Sequence, residues 1–104
     1  MALALIARSR SWPPEETYAL TDQVRRSSRS VAANVAEAWR KRRYPKAFVS
    51  TLATADAEAA ETRAWLDFAL AHGYLDRAAY DDLDRRLDAV QGRLVRMMHD
   101  ADRW

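Results

Sequence analysis

Apolar and small residues recur at steps of three and four along most of the chain, the spacing that places side chains on one side of an α-helix. The most regular series predicts a helix that begins at Pro45 and ends at His72-Gly73. Its members are Phe48, Leu52, Ala55, Ala59, Thr62, Leu66 and Ala69. Gly73 is expected to end this helix because glycine adopts the left-handed terminal conformation without a steric cost.

A second series predicts a helix that begins near Glu15 and continues to the basic run at residues 40–43. Its members are Leu20, Val24, Val31, Val35 and Ala38, with Ser27 in the one polar position. Proline cannot continue a helix from the preceding chain because it has no amide hydrogen. Pro13 and Pro14 therefore separate this helix from a short helical stub, which is predicted at residues 2–10.

A third series predicts the last helix, which begins after Asp76, a favourable N-cap residue. Its members are Tyr80, Leu83, Leu87, Val90, Leu94, Met97, Ala101 and Trp104. Short connections at Tyr44-Pro45 and at residues 72–76 force neighbouring helices to run antiparallel. With the stub, the sequence predicts an all-α fold, an antiparallel up-down four-helix bundle with a shortened first helix, as a single domain over residues 1–104.

Composition narrows the classes of protein to consider. The 104 residues include no cysteine, which excludes disulfides and thiolate chemistry. The apolar run at the start has only six residues and no preceding basic residue, unlike a signal peptide. No stretch approaches the ~20 apolar residues that a membrane-spanning helix requires. These features predict a cytoplasmic protein without membrane association.

The sequence contains no residue set that predicts catalysis. A di-iron bundle needs Glu-x-x-His motifs, but the residue three before His72 is Ala69 and the one three before His99 is Arg96. The two glycines are too far apart for a phosphate-binding loop. Carboxylates such as Glu58 are expected mostly on the solvated face. We therefore predict no enzymatic activity, no catalytic residue, no metal and no cofactor.

Basic residues are concentrated in the first half of the chain. The net charge is +2, but residues 1–48 hold ten Lys/Arg and four Asp/Glu, or +6, whereas residues 49–104 hold seven and eleven, or −4. One predicted stripe on the second helix, opposite its apolar side, comprises Arg25, Arg26, Arg29 and Arg40. A second group surrounds the following loop and comprises Arg40, Lys41, Arg42, Arg43 and Lys46. Both groups are candidate sites for nucleic acid or a protein partner.

Part of this charge is expected to be paired locally. Asp22 is spaced to pair with Arg25 or Arg26, and Glu37 with Lys41, which are positions that approach each other on a helix. Such exposed pairs contribute little to stability. The loop group has few acids beside it and is harder to explain as a structural feature.

The segment YALTDQVRRSSRSVAANVAEAWRKR, which begins at Tyr18, resembles the signature of bacterial four-helix bundle proteins related to the 23S rRNA intervening-sequence protein and to the accessory variability determinant of diversity-generating retroelements. The HGYLD segment at residues 72–76 resembles the family's turn before its last helix. Matching signature positions are Tyr18, Leu20, Thr21, Gln23, Arg25, Arg26, Ser30, Asn34, Ala36 and Glu37. Ala19, Ala32 and Ala38 replace the glycine, proline and glycine that are common in the family.

The resemblance implies a ring-like homopentamer. In the retroelement branch it further implies a basic surface associated with the reverse transcriptase and with nucleic acid; most members have no known biochemical role. Our first hypothesis is an RNA- or DNA-binding scaffold. The alternative is a protein-interaction scaffold in which the +6 half of one subunit contacts the −4 half of the next, with Trp12, Trp39 and Trp65 as candidate anchors. A ligand-binding bundle is disfavoured because convergent polar groups are not evident.

Overall fold

The computed structural model describes the backbone of residues 14–104 and the side chains of residues 19–104. This part contains three α-helices, α1 (Pro14–Arg40), α2 (Pro45–Ala71) and α3 (Arg77–His99), followed by a short 3-10 turn at Ala101–Arg103. The all-α prediction is confirmed for these residues, which contain no strand. The predicted stub at residues 2–10 lies outside them, so three of the four expected helices are observed.

Helix α2 lies between the other two helices and contacts both. All seven members of its predicted apolar series are buried. One end of the bundle has a core that includes Val24 from α1, Leu66 from α2 and Leu83 from α3. The other end has a core around Phe48 and Leu52, with Ala38 from α1 and Leu94 from α3. Helix α2 packs against both neighbours through this one stripe, and residues such as Ala53, Ala57 and Ala60 on its opposite side are exposed.

The contact between α1 and α2 includes a pair of small polar residues. Ser27 and Thr62 are both fully buried, and their hydroxyl oxygens lie 2.7 Å apart across the interface. The shared hydrogen bond satisfies two polar groups that would otherwise be costly to bury. The one serine in the apolar series of α1 therefore has a partner on the facing helix.

Helix α2 ends and helix α3 begins where the sequence predicted. Gly73 has a φ of 76°, the left-handed conformation that favours glycine. The Asp76 carboxylate accepts a hydrogen bond of 2.7 Å from the Ala79 amide, which makes Asp76 the N-cap of α3. None of the helices in this part of the chain is long and apolar enough to cross a membrane.

The predicted series of the last helix is wrong at its end. Leu83, Leu87, Leu94 and Ala101 are buried, but 46% of Trp104 is exposed. The reason is that α3 ends at His99 and the chain continues as a 3-10 turn. Because a 3-10 turn has three residues per turn rather than 3.6, the helical spacing no longer places residue 104 on the buried side.

A charged network joins α2 to α3. Arg63 Nε and Nη2 donate to the two carboxylate oxygens of Asp84 at 2.8 and 3.1 Å. Its Nη1 donates to Asp88 at 3.1 Å and to Gln91 at 2.9 Å, and Gln91 Nε2 donates to Asp56 at 3.0 Å. The Asp84 hydrogen bond raises the pKa of Arg63 above its ordinary value, and the Asp84 and Asp88 charges add to the rise while burial opposes it. Five polar side chains thus form one hydrogen-bonded network across the interface.

Candidate nucleic-acid interface

The connection between α1 and α2 is a tight turn of four residues, 41–44. The Lys41 amide donates to the Ala38 carbonyl at 2.9 Å, and the Tyr44 amide donates to the Lys41 carbonyl at 2.8 Å. Tyr44 is extended, with φ −117° and ψ 90°, as expected for a residue before proline. Pro45 then starts α2. These bonds hold the basic residues on both sides of the turn at one end of the bundle.

Three of the predicted site residues are exposed cations at this end. Arg40 lies in the last turn of α1, Arg43 in the turn itself and Lys46 in the first turn of α2. Among the described residues, none of the three has a carboxylate within 4.0 Å. We call Arg40, Arg43 and Lys46 the loop cations. Their charge is directed to the solvent.

The two remaining loop residues are held by their own helix. Lys41 pairs with Glu37 at 3.1 Å, as predicted. Arg42 donates to the Trp39 carbonyl at 3.0 Å, and its guanidinium carbon lies 4.6 Å from the centroid of the Trp39 ring. This is cation–π geometry. The charge of Lys41 is therefore offset by Glu37, whereas Arg42 adds positive charge to the turn from a fixed position.

The four arginines of the predicted stripe on α1 have different surroundings. Arg29 and Arg40 are exposed, whereas Arg25 is half-buried and takes part in further interactions. Arg26, one of the two partners predicted for Asp22, reaches across to α2 and donates to Glu61 at 2.7 Å. Helical spacing places Arg26 opposite the apolar side of α1, but its long side chain extends to the neighbouring helix. Arg26 thus contributes to the fold.

A second carboxylate near Arg26, that of Glu58, is more buried than expected. Glu58 has a side chain that is only 24% exposed and lies 3.9 Å from Arg26. Burial raises the pKa of Glu58, and the neighbouring Glu61 adds to the rise while Arg26 opposes it. Glu58 was expected on the solvated face. It faces α1 because the α1–α2 contact covers that side of α2.

Aromatic side chains adjoin the loop cations, and this combination was not recognised in the sequence as a site. Tyr44 is 69% exposed, and Trp39 and Trp104 are each 46% exposed. The Trp39 and Trp104 rings meet edge to face with centroids 5.9 Å apart. Trp39 and Tyr44 flank the basic run in sequence, which was an available signal. Trp104 was not predictable because the 3-10 turn brings it there.

An apolar groove lies towards the other end of α2. It has a volume of about 680 Å³ and is lined by Ala19, Leu20, Gln23, Trp65, Phe68, His72 and Tyr74. The indole nitrogen of Trp65 is buried without a hydrogen-bond acceptor. Among the described residues, no group of three or more His, Asp or Glu could hold a metal ion. The groove and the basic loop are thus separate features at opposite ends of α2.

Comparisons with known proteins bear on both the fold and the family. The family model described as 23S rRNA-intervening sequence protein matches residues 1–96. A protein of unknown function from the S23 ribosomal protein family of Bacteroides thetaiotaomicron has a similar solved structure, with a TM-score of 0.86, 22% sequence identity, and coverage of 93% of this chain and 90% of that chain. At this identity the similarity shows the fold alone. No curated protein matched.

Proposed function

The chain belongs to the 23S rRNA-intervening sequence protein family, and from this membership and its loop chemistry we propose that it is a non-enzymatic scaffold that binds nucleic acid. The observation that carries the proposal is the set of exposed loop cations without carboxylate partners in the described residues. Cations that neutralise phosphates release counterions, which drives binding of any nucleic acid. Of the other predicted residues, Arg25, Arg29 and Arg42 lie on α1 or in the turn and add to the positive potential. The charges of Arg26 and Lys41 are offset by Glu61 and Glu37.

The N-terminus of α2 is a second source of positive charge beside the loop cations. Its N-cap residue makes no side-chain capping bond, and its first turn contains no acidic residue. The helix macrodipole places partial positive charge at an N-terminus. This charge adds to that of the neighbouring loop cations, whereas the C-termini of α1 and α3, which lie at the same end, contribute partial negative charge.

We further propose the assembly that the family resemblance implies. By this proposal the chain forms a four-helix bundle with a shortened first helix and acts in the cytoplasm as a ring-like homopentamer. Repetition of the loop cations around a ring multiplies the phosphate contacts. A retroelement-associated copy would present the same surface to a reverse transcriptase. Light scattering tests the assembly, and a strict monomer would contradict it.

Binding is tested by filter binding of single-stranded RNA at about 50 mM and 200 mM salt, the range over which phosphate contacts weaken steeply. The test variant replaces the loop cations with glutamine, as Arg40→Gln, Arg43→Gln and Lys46→Gln. We expect the slope of log affinity against log salt to fall by about 2, because each phosphate contact on a single strand contributes about 0.7.

A matched control removes the same charge from α3 as Arg77→Gln, Arg85→Gln and Arg86→Gln. These arginines are 74%, 77% and 51% exposed but pair with Asp81 or Asp82 on their own helix. The control should bind RNA as the unmodified protein does. Equal losses in both variants would indicate a nonspecific charge effect, and no binding at low salt would refute the proposal.

A protein-interaction scaffold is the second candidate, supported by the exposed Trp39, Phe68 and Val95. Its charge argument is weakened because part of the attraction between the two halves is already satisfied within one chain. Arg26 of the +6 half pairs with Glu61 of the −4 half at 2.7 Å. If light scattering shows a ring while RNA binding is absent, this second function is favoured.

A further inference from the structure

Tyr44 has no evident structural task for its ring. It occupies the N-cap of α2, where Ser, Thr, Asp or Asn would stabilise the helix by about 1 kcal/mol through a side-chain hydrogen bond. The Tyr44 side chain makes no such bond. Within the described part of the chain it also has no ring contact, and 69% of the residue is exposed.

Tyr44 lies between two residues whose charges attract phosphate. Arg43 precedes Tyr44 directly, Lys46 follows it by two residues, and both are exposed. Trp39 is fixed nearby by Arg42 on its face and by Trp104 at 5.9 Å. An exposed aromatic ring among cations suits a ligand that has both flat apolar faces and negative charge. Unpaired nucleotides have both, because the base stacks on the ring while the phosphate contacts the cations.

We propose that the α1–α2 turn binds single-stranded nucleic acid in preference to duplex, with an unpaired base stacked on Tyr44. This inference rests on the proposed function and adds the class of ligand. A duplex offers the same kind of phosphates but keeps the faces of its bases stacked within the helix. The cations therefore attract both forms, whereas the tyrosine ring distinguishes them.

The test compares three probes: single-stranded RNA, the duplex of the same length, and heparin, which is a polyanion without bases. Tyr44→Ala should lower the affinity for single-stranded RNA roughly tenfold, the size of one lost base–aromatic stack. The affinity for duplex and for heparin should stay within about twofold. Tyr44→Phe keeps the ring and should restore single-strand binding. Single-stranded DNA is expected to behave like the RNA, since the stacked face does not involve the 2′-hydroxyl.

The outcomes separate this inference from the proposed function. If Tyr44→Ala binds single-stranded RNA as tightly as the unmodified protein, or loses heparin affinity to the same extent, the stacking proposal is wrong although nucleic-acid binding stands. If the unmodified protein binds no probe at low salt, both are wrong. A thermal melt of each variant should be unchanged, since the exposed ring has no packing to lose.

Discussion

Arg63 and Arg43 carry the same side chain in opposite circumstances. Arg63 lies between α2 and α3 and donates to Asp84, Asp88 and Gln91 at 2.8–3.1 Å. Arg43 projects from the α1–α2 turn and has no carboxylate partner among the described residues. The first guanidinium connects two helices of the same chain, and the second is available to an external anion. The comparison shows that a count of basic residues does not reveal a binding surface until the internally paired ones are removed.

The largest expected effect comes from removing Arg63. Arg63→Ala should lower the free energy of unfolding by about 2 kcal/mol, because it breaks a two-pronged charged hydrogen bond and leaves Asp84 without its partner. Tm should fall by about 10 °C. Arg63→Lys keeps the charge but not the forked geometry and should recover only part of the loss. Denaturant unfolding measures the change.

The RNA affinity of the Arg63→Ala variant tests whether Arg63 differs from the loop cations in its function. It should remain within about twofold of the unmodified protein at a temperature where both are folded, because Arg63 is only 30% exposed and fully engaged. A large loss of RNA affinity would place Arg63 in the binding surface and remove the distinction between the two regions.

A smaller effect is expected from Tyr80, which joins the same two helices by donating a hydrogen bond to Asp67. This bond, followed by burial and the Asp67 charge, raises the pKa of Tyr80 from 10.0 to about 12. The folded form thus holds the phenol proton more tightly than the unfolded chain. The resulting stability is present in full below pH 10 and is lost as pH rises towards 12.

Tyr80→Phe should therefore lower stability by about 1 kcal/mol at pH 8, and the difference between the two proteins should shrink above pH 10. Phenolate absorbance should show one tyrosine that titrates late and is missing in the variant. A variant as stable as the unmodified protein at pH 8 would contradict the expectation.

The smallest effect is expected from Arg26, which is part of the basic stripe predicted from the sequence but pairs with Glu61 in the structure. Arg26→Ala should cost about 0.5 kcal/mol, because the Arg26 and Glu61 side chains are 48% and 38% exposed and exposed pairs are weak. It should also raise the pKa of Glu58 further by removing the charge that lowers it. Urea unfolding measures the loss of stability, and NMR titration of the Glu58 carboxyl measures the change in its pKa. An RNA affinity close to that of the unmodified protein would show that Arg26, like Arg63, lies outside the binding surface.

Much of the candidate site was predictable from the sequence, but which of its cations are paired within the fold was not. The tight turn at residues 41–44, the Glu37–Lys41 pair and the exposure of Arg40, Arg43 and Lys46 depend on neighbours in sequence, which local patterns describe well. The assignment of Arg26 to Glu61, thirty-five residues away, depends on how α1 and α2 face each other. A helical wheel of one helix contains no information about that contact.

The sequence by itself determined the helices α1, α2 and α3, their turns and the apolar sides that pack, because these follow from side-chain spacing, capping and backbone preferences within short segments. Only the tertiary structure decided which charges are already satisfied, that Ser27 meets Thr62, and that Trp104 lies against Trp39 beside the basic turn. These contacts join residues far apart in the chain, and their geometry exists only once the helices have packed.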